Sequence, residues 1–155
     1  MSSCKTVGYD IVFQEIPDEI SLAVNISNCP FSCPGCHSPY LQKDVGEELT
    51  TELLHSWIEK YAGEITCVLF MGGDRNADYV VELSKFVKQN YPDLKTAWYS
   101  GRETADCQLA KNFDFVKFGP YKKELGGLKS KTTNQRLYKI KTGKLEDVTS
   151  SFWKH

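Results

Sequence analysis

The sequence predicts an α/β protein folded as a partial, open βα barrel. Helix-like and strand-like patterns alternate three times between about residue 50 and residue 120, the signature of βα units on a parallel sheet. Residues 65–71 (ITCVLFM) form a nearly continuous apolar run, as expected of a strand buried on both faces. The chain has 155 residues, whereas a complete (βα)8 barrel takes about 250, with about 200 as a lower limit.

The elements follow in order. Residues 8–14 alternate, with Tyr9, Ile11 and Phe13 on one face of a strand. Pro17-Asp18-Glu19 reads as a turn. Residues 20–27 alternate again, with Ile20, Leu22, Val24 and Ile26 on one face, so the two runs pair as a hairpin or lie as neighbours. Asn28 to Leu41 holds Pro30, Pro34, Gly35 and Pro39, which oppose long regular structure. From Thr50 to Ala62 the pattern is helical, with a stripe of Leu53, Leu54, Trp57, Ile58 and Tyr61. Thr50 or Thr51 can cap its start and Gly63 its end. Residues 77–90 are a second helix, with Val80, Leu83, Phe86 and Val87 facing inward. A strand at 94–99, a weaker helix at 103–112 and a strand at 114–118 follow. Residues 121–135 are rich in Gly, Lys and Thr and read as a loop, and residues 136–141 as a last strand. No linker or repeat divides the chain, so residues 1–155 are expected to form one domain.

Composition excludes several classes. Apolar residues make up 41% and charged residues 25%, enough for an ordinary core. Lys and Arg total 19 against 20 Asp and Glu, for a formal net charge of -1. That balance offers no electrostatic basis for nucleic acid or an anionic membrane as the main partner. No run approaches the roughly 18 apolar residues of a membrane helix, and Met1 to Asp10 has no apolar signal core. The expected location is the cytoplasm, where the six cysteines are reduced thiols, metal ligands or catalytic groups rather than disulfides.

Three cysteines cluster in Cys29-Pro30-Phe31-Ser32-Cys33-Pro34-Gly35-Cys36-His37. The spacing is C-x3-C-x2-C. Thiolates this close converge on one soft centre, an Fe–S cluster, zinc or copper(I). Structural zinc wants four ligands, and His37 is awkwardly adjacent to Cys36. A ferredoxin-type carrier also needs four cysteines, with the fourth drawn from Cys4, Cys67 or Cys107. A three-cysteine cubane leaves one iron open, as a catalytic metal site requires. Gly35 lets the backbone pass close to a bulky cluster. Cys67 sits in an apolar strand and reads as a core residue; Cys4 and Cys107 read as free thiols.

C-x3-C-x2-C after an early strand of a βα protein resembles the signature of the radical S-adenosylmethionine superfamily. The resemblance implies a 4Fe–4S cluster on Cys29, Cys33 and Cys36, with S-adenosylmethionine on the open iron and a barrel of that superfamily's type. Gly72-Gly73-Asp74, alone no more than a tight turn with a surface acid, is then similar to the family's Gly-Gly-Glu element. It implies contact between Gly72, Gly73 and Asp74 and the amino group of methionine. Ser100 is a candidate for the ribose or carboxylate, and an ordinary turn serine otherwise. His37 is a candidate for the adenine side, where the often aromatic position before the third cysteine is Gly35.

Gly119-Pro120-Tyr121, Leu125 and Thr132-Thr133-Asn134-Gln135-Arg136 resemble elements of the activating proteins of anaerobic ribonucleoside-triphosphate reductase. The match runs from about Asn25 to Tyr138. Many relatives carry an acid just before the Gly-Pro pair, where this chain has Lys117-Phe118. The resemblance implies an enzyme that reductively cleaves S-adenosylmethionine and generates a glycyl radical on the reductase. No side chain is expected to act as a general base. Implied partners are the reductase, docking on 121–155 with Asn134, Gln135 and Arg136 in contact, and a reductant such as flavodoxin or ferredoxin. A pyruvate formate-lyase activase-like enzyme, a carbon-inserting radical enzyme, and a non-catalytic zinc or electron-transfer module are the alternatives.

Overall fold

A computed structural model of the chain describes residues 4–13, 15–17, 19–26, 47–73, 76–101, 107–119, 124–128, 130–142 and 144–153. Eight strands form one mixed sheet: β1 (Cys4–Val12), β2 (Ser21–Ile26), β3 (Glu47–Leu49), β4 (Cys67–Met71), β5 (Lys95–Tyr99), β6 (Phe115–Phe118), β7 (Arg136–Lys141) and β8 (Lys144–Asp147). Their order across the sheet is β3-β1-β2-β4-β5-β6-β7-β8. The four central strands, β2, β4, β5 and β6, run parallel. Antiparallel strands flank them, β1 and β3 on one side and β7 and β8 on the other.

Helices α1 (Thr51–Lys60), α2 (Ala77–Asn90) and α3 (Cys107–Ala110) connect successive strands, and a 3-10 helix spans Thr149–Trp153. Thr50 caps α1: its Oγ1 accepts from the Leu53 amide at 3.1 Å. Gly63 follows that helix at φ +89°, a conformation costly for other residues.

Strand alternation splits the core in two. Leu22, Val24, Ile26, Val68, Phe70, Trp98, Val116 and Phe118 pack against Leu54 and Ile58 of α1, Val80, Leu83 and Val87 of α2, and Ala110 and Phe113. The opposite face is smaller. Ala23, Cys67, Leu69, Ala97 and Phe115 meet Leu137, Ile16 and Leu128 there. The parallel strands are therefore buried on both sides, which is why β4 reads as one apolar run. At the N-terminal end of the strands, Lys95 Nζ lies 2.7 Å from Oε2 of the buried Glu19.

Several expectations need correcting. β1 starts at Cys4 rather than Gly8 and ends at Val12, leaving Phe13 66% exposed. Its register shifts between Thr6 and Gly8, and Gly8 takes φ +118°; a bulge breaks the period on which a strand is recognised. β7 is not the last strand: the chain turns back into β8, an edge strand reading KLED. Charged edge strands resist unwanted pairing and look like loop in sequence. The weaker helix is confined, among the described residues, to the single turn Cys107–Ala110.

Candidate functional site

Parallel strands bring their C-terminal ends to one edge. Ile26, Met71, Tyr99 and Phe118 end the four central strands, and α/β proteins place ligands beyond such ends. Gly72 and Gly73 lie there, at φ +100° and +88°. A Cβ on Gly72 would stand 2.8 Å from the Ile26 carbonyl oxygen. A Cβ on Gly73 would stand 2.6 Å from Val80 Cγ2 and 3.2 Å from Ile26 Cδ1. β2 and the first turns of α2 thus close on the pair, and only glycine fits at either position.

The turn is tied down from β5. The Gly72 amide donates to the Tyr99 carbonyl at 3.2 Å, and Trp98 Nε1 donates to the Gly72 carbonyl at 2.7 Å. The Asn76 amide donates to the Gly73 carbonyl at 3.0 Å. Ser100 follows Tyr99 and is fully buried, its amide bonded to the Lys117 carbonyl at 2.8 Å.

On the face opposite α1 and α2 a row of register partners runs along this edge: Asn25 beside Met71, Met71 beside Tyr99, Tyr99 beside Lys117. Partners in register point to the same side of a sheet. Asn25 Nδ2 donates to Asp10 Oδ2 at 3.1 Å. The Tyr99 hydroxyl donates to the Glu15 carbonyl, and burial holds the phenol well above its ordinary range. Lys117 is only 8% exposed; its Nζ lies 5.3 Å from the centroid of the Tyr99 ring. Sequence patterns alone do not single out this row. Its signal is a set of non-aliphatic residues, Asn25, Tyr99 and Lys117, each at or next to its strand's last position.

The start of β7 joins the same edge, because Phe118 pairs with Arg136. Lys117 Nζ and Gln135 Nε2 both donate to the Gly119 carbonyl, at 3.1 Å and 3.3 Å. Gly119 takes φ +114°, and a Cβ there would stand 3.0 Å from Gln135 Cα and 3.3 Å from the Asn134 carbonyl oxygen. Gln135 is buried. Arg136 is half-exposed, 3.7 Å from Asp147 Oδ2.

Cys29, Cys33, Gly35, Cys36, His37 and Asp74 lie outside the described residues. The strands that bracket the cysteine segment are described. Thr6 of β1 pairs with Ile26 on one side and with Glu47 on the other. Ile26 and Glu47 therefore stand two strand spacings apart across the sheet, about 10 Å. The buried Thr6 reinforces the first junction, its Oγ1 donating to the Asn25 carbonyl at 2.8 Å.

Among the described residues, no three His, Cys, Asp or Glu side chains gather to hold a metal ion. Cys4 and Cys67 are free and buried, and Cys107 is free and exposed. Burial pushes the Cys4 thiol up to about 11 and the Cys67 thiol up to about 12. Both favour the neutral form, whereas a cluster ligand is a thiolate. Among the described residues no helix is long and apolar enough to cross a membrane.

No curated protein and no solved structure matches the chain significantly. The profile of the 4Fe-4S single cluster domain family matches residues 20–141, a span running from the start of β2 to the end of β7 and containing all three clustered cysteines. The chain belongs to the 4Fe-4S single cluster domain family.

Proposed function

We propose that the chain is a radical S-adenosylmethionine enzyme that activates anaerobic ribonucleoside-triphosphate reductase by generating a glycyl radical on it. One juxtaposition supports this reading above the rest. The Cys29-x3-Cys33-x2-Cys36 segment follows directly on β2, and the glycine pair ending the neighbouring parallel strand packs against Ile26, the last residue of β2. A three-thiolate cluster site and a backbone-lined turn for an amino-acid moiety then share one edge.

On this reading Cys29, Cys33 and Cys36 hold three irons and leave the fourth for S-adenosylmethionine. When bound, the cluster and S-adenosylmethionine together supply the chemistry: one electron cleaves the S–C5′ bond, and the 5′-deoxyadenosyl radical released removes a hydrogen atom from a glycine of the reductase. This chain's residues bind and shield. Gly72 and Gly73 admit the methionine end, with Asp74 and Ser100 as further contacts. His37, beside the last cysteine, serves the adenine side, and Gly35 gives the cluster room.

The face opposite α1 and α2 becomes the interior of an open βα barrel, whose wide mouth suits a substrate that is a loop of another protein. The reductase docks on 121–155, with Arg136 and Asn134 as contacts and Gln135 as their support. A flavodoxin or ferredoxin supplies the electron, and the cytoplasm keeps the thiols reduced.

Anaerobic reconstitution followed by EPR of the reduced protein, with and without S-adenosylmethionine, tests the reading. A 4Fe–4S signal that shifts on addition is expected. Tightly bound zinc with no Fe–S signal would overturn it. Arg136→Ala should lower glycyl-radical formation on the reductase without changing that signal. If iron content falls instead, Arg136 belongs to the fold and not to the docking surface.

A further inference from the structure

The formal net charge of -1 conceals a division along the chain. Residues 1–118 hold 10 Lys and Arg against 17 Asp and Glu, whereas residues 119–155 hold 9 against 3. The first part is formally -7 and the second +6. The sheet keeps the two apart, because β3 forms one lateral edge and β7 and β8 lie at the other. On the β3 side Glu47 and Glu48, Glu52 of α1 and Glu82 of α2 are all exposed. Burial raises the Tyr79 phenol, and Cys4, Glu48, Glu82 and Glu52 raise it further, so acids from three elements lie near one ring.

On the β8 side the charge is positive. Lys139 is in register with Phe115, whose side chain packs on the face opposite α1 and α2. Lys141 shares that face by alternation, and Lys144 is its register partner. Like charges directly opposite destabilise a strand pair, so folding does not account for two lysines there. Glu146, the register partner of Lys139, is the single carboxylate of β7 and β8 on that face, 3.6 Å from Lys141. Lys131 lies in the loop before β7, and Arg136 opens β7 at the edge that carries the candidate site. Lys131, Lys141 and Lys144 are exposed. Among the described residues no carboxylate pairs with Lys131, Lys139 or Lys144.

We propose that β7, β8 and the loop before them dock an acidic surface of the protein on which this chain acts; the inference rests on the function proposed above. A protein with one acidic patch fits this charge pattern better than a nucleic acid does. A nucleic acid is negative along its whole length and would also meet the acids of β3, α1 and α2. A local patch meets the lysines alone, and the acids on the far side turn a wrong-way approach aside. Complementary patches of this kind speed encounter and fix orientation more than they add affinity. Exposed charges are screened within about 8 Å at physiological ionic strength, so the docking is salt-sensitive.

The test is the association rate of the reconstituted full chain with anaerobic ribonucleoside-triphosphate reductase, measured by anaerobic stopped flow at low and high sodium chloride. Glycyl-radical yield and the S-adenosylmethionine-dependent EPR shift are recorded alongside. Between about 20 and about 300 mM salt the parent rate should fall about tenfold or more. Lys131→Glu/Lys141→Glu/Lys144→Glu should lose about tenfold at low salt and most of the salt dependence, with the EPR shift unchanged. The corresponding triple Gln variant should fall between the two, and it carries the test if the triple Glu variant loses iron. Glu52→Lys/Glu82→Lys should associate at least as fast as the parent. A parent rate indifferent to salt, or a triple variant with the parent's rate, overturns the proposal and leaves the proposed function standing. So does tighter binding of duplex DNA than of the reductase. A parent chain with full cluster content that yields no glycyl radical at any salt overturns the proposed function, and this inference with it.

Discussion

Trp98 Nε1 donates a 2.7 Å hydrogen bond to the Gly72 carbonyl, so a fully buried indole on β5 sets the turn that ends β4. The ring is fixed in its own plane, stacked on Phe113 at 5.6 Å and edge-on to Phe118 at 6.3 Å. The helix-side core therefore aims the one polar atom of Trp98 at the candidate site. Trp98→Phe keeps an aromatic ring but leaves a half-buried carbonyl without that donor and a gap where the indole's second ring was. It should cost about 2–4 kcal/mol of stability by urea unfolding and weaken S-adenosylmethionine binding as well. Phe113→Leu is the comparison, since it removes the stacking and retains the N–H. A Trp98→Phe chain that loses stability but keeps full affinity would show that this bond holds the fold together without setting the turn.

Gly72 and Gly73 exclude side chains for different reasons, and the difference is measurable. At Gly72 the obstacle is backbone: the Ile26 carbonyl oxygen lies 2.8 Å from where an added methyl would sit. At Gly73 the nearest obstacle is the Val80 side chain, 2.6 Å away. Both also have positive φ. Gly72→Ala should cost at least about 2 kcal/mol, with no single substitution to relieve it. Gly73→Ala should be partly rescued by Val80→Ala, which clears the Cγ2 methyl and leaves only the conformational strain and the cavity. Urea unfolding of the two single variants and the double variant forms the cycle. Strictly additive losses in Gly73→Ala/Val80→Ala would rule out the steric origin.

The central elements were legible in sequence because each carried an undisturbed period. β4 is an unbroken apolar run because it is covered on both faces, and α1 and α2 keep their apolar stripes between a Thr50 cap and the Tyr91-Pro92 break. The flanking strands were less legible. The Gly8 bulge interrupts β1, and β8 is too charged to resemble a strand. The site was legible in part. The glycine pair and the cysteine spacing are local patterns. The bonds from Trp98 to Gly72 and from Gln135 to Gly119 join residues 26 and 16 positions apart. Strand order creates such contacts, and no local pattern announces them.

Alkaline pH should destabilise the chain through its buried thiols. Folding raises the Cys4 thiol to about 11 and the Cys67 thiol to about 12, in each case chiefly by burial. In the unfolded chain both ionise near the ordinary thiol value, about 8.5. The folded values are the higher ones, so the stabilising contribution is complete below about pH 8.5 and is lost as pH rises through the folded values. Over that interval the unfolded chain releases a proton that the folded chain retains. Each such thiol then removes about 1.4 kcal/mol per pH unit. Urea midpoints measured from pH 8 to 10.5 should fall steadily. Cys67→Ala should flatten that fall whatever it does to stability at pH 7, because alanine has no proton to lose. An identical slope in Cys67→Ala and the parent chain would mean that Cys67 ionises as easily folded as unfolded. Native-state alkylation gives an independent reading. At pH 8 the exposed Cys107 should react with iodoacetamide, while Cys4 and Cys67 should become reactive only once urea has opened the core.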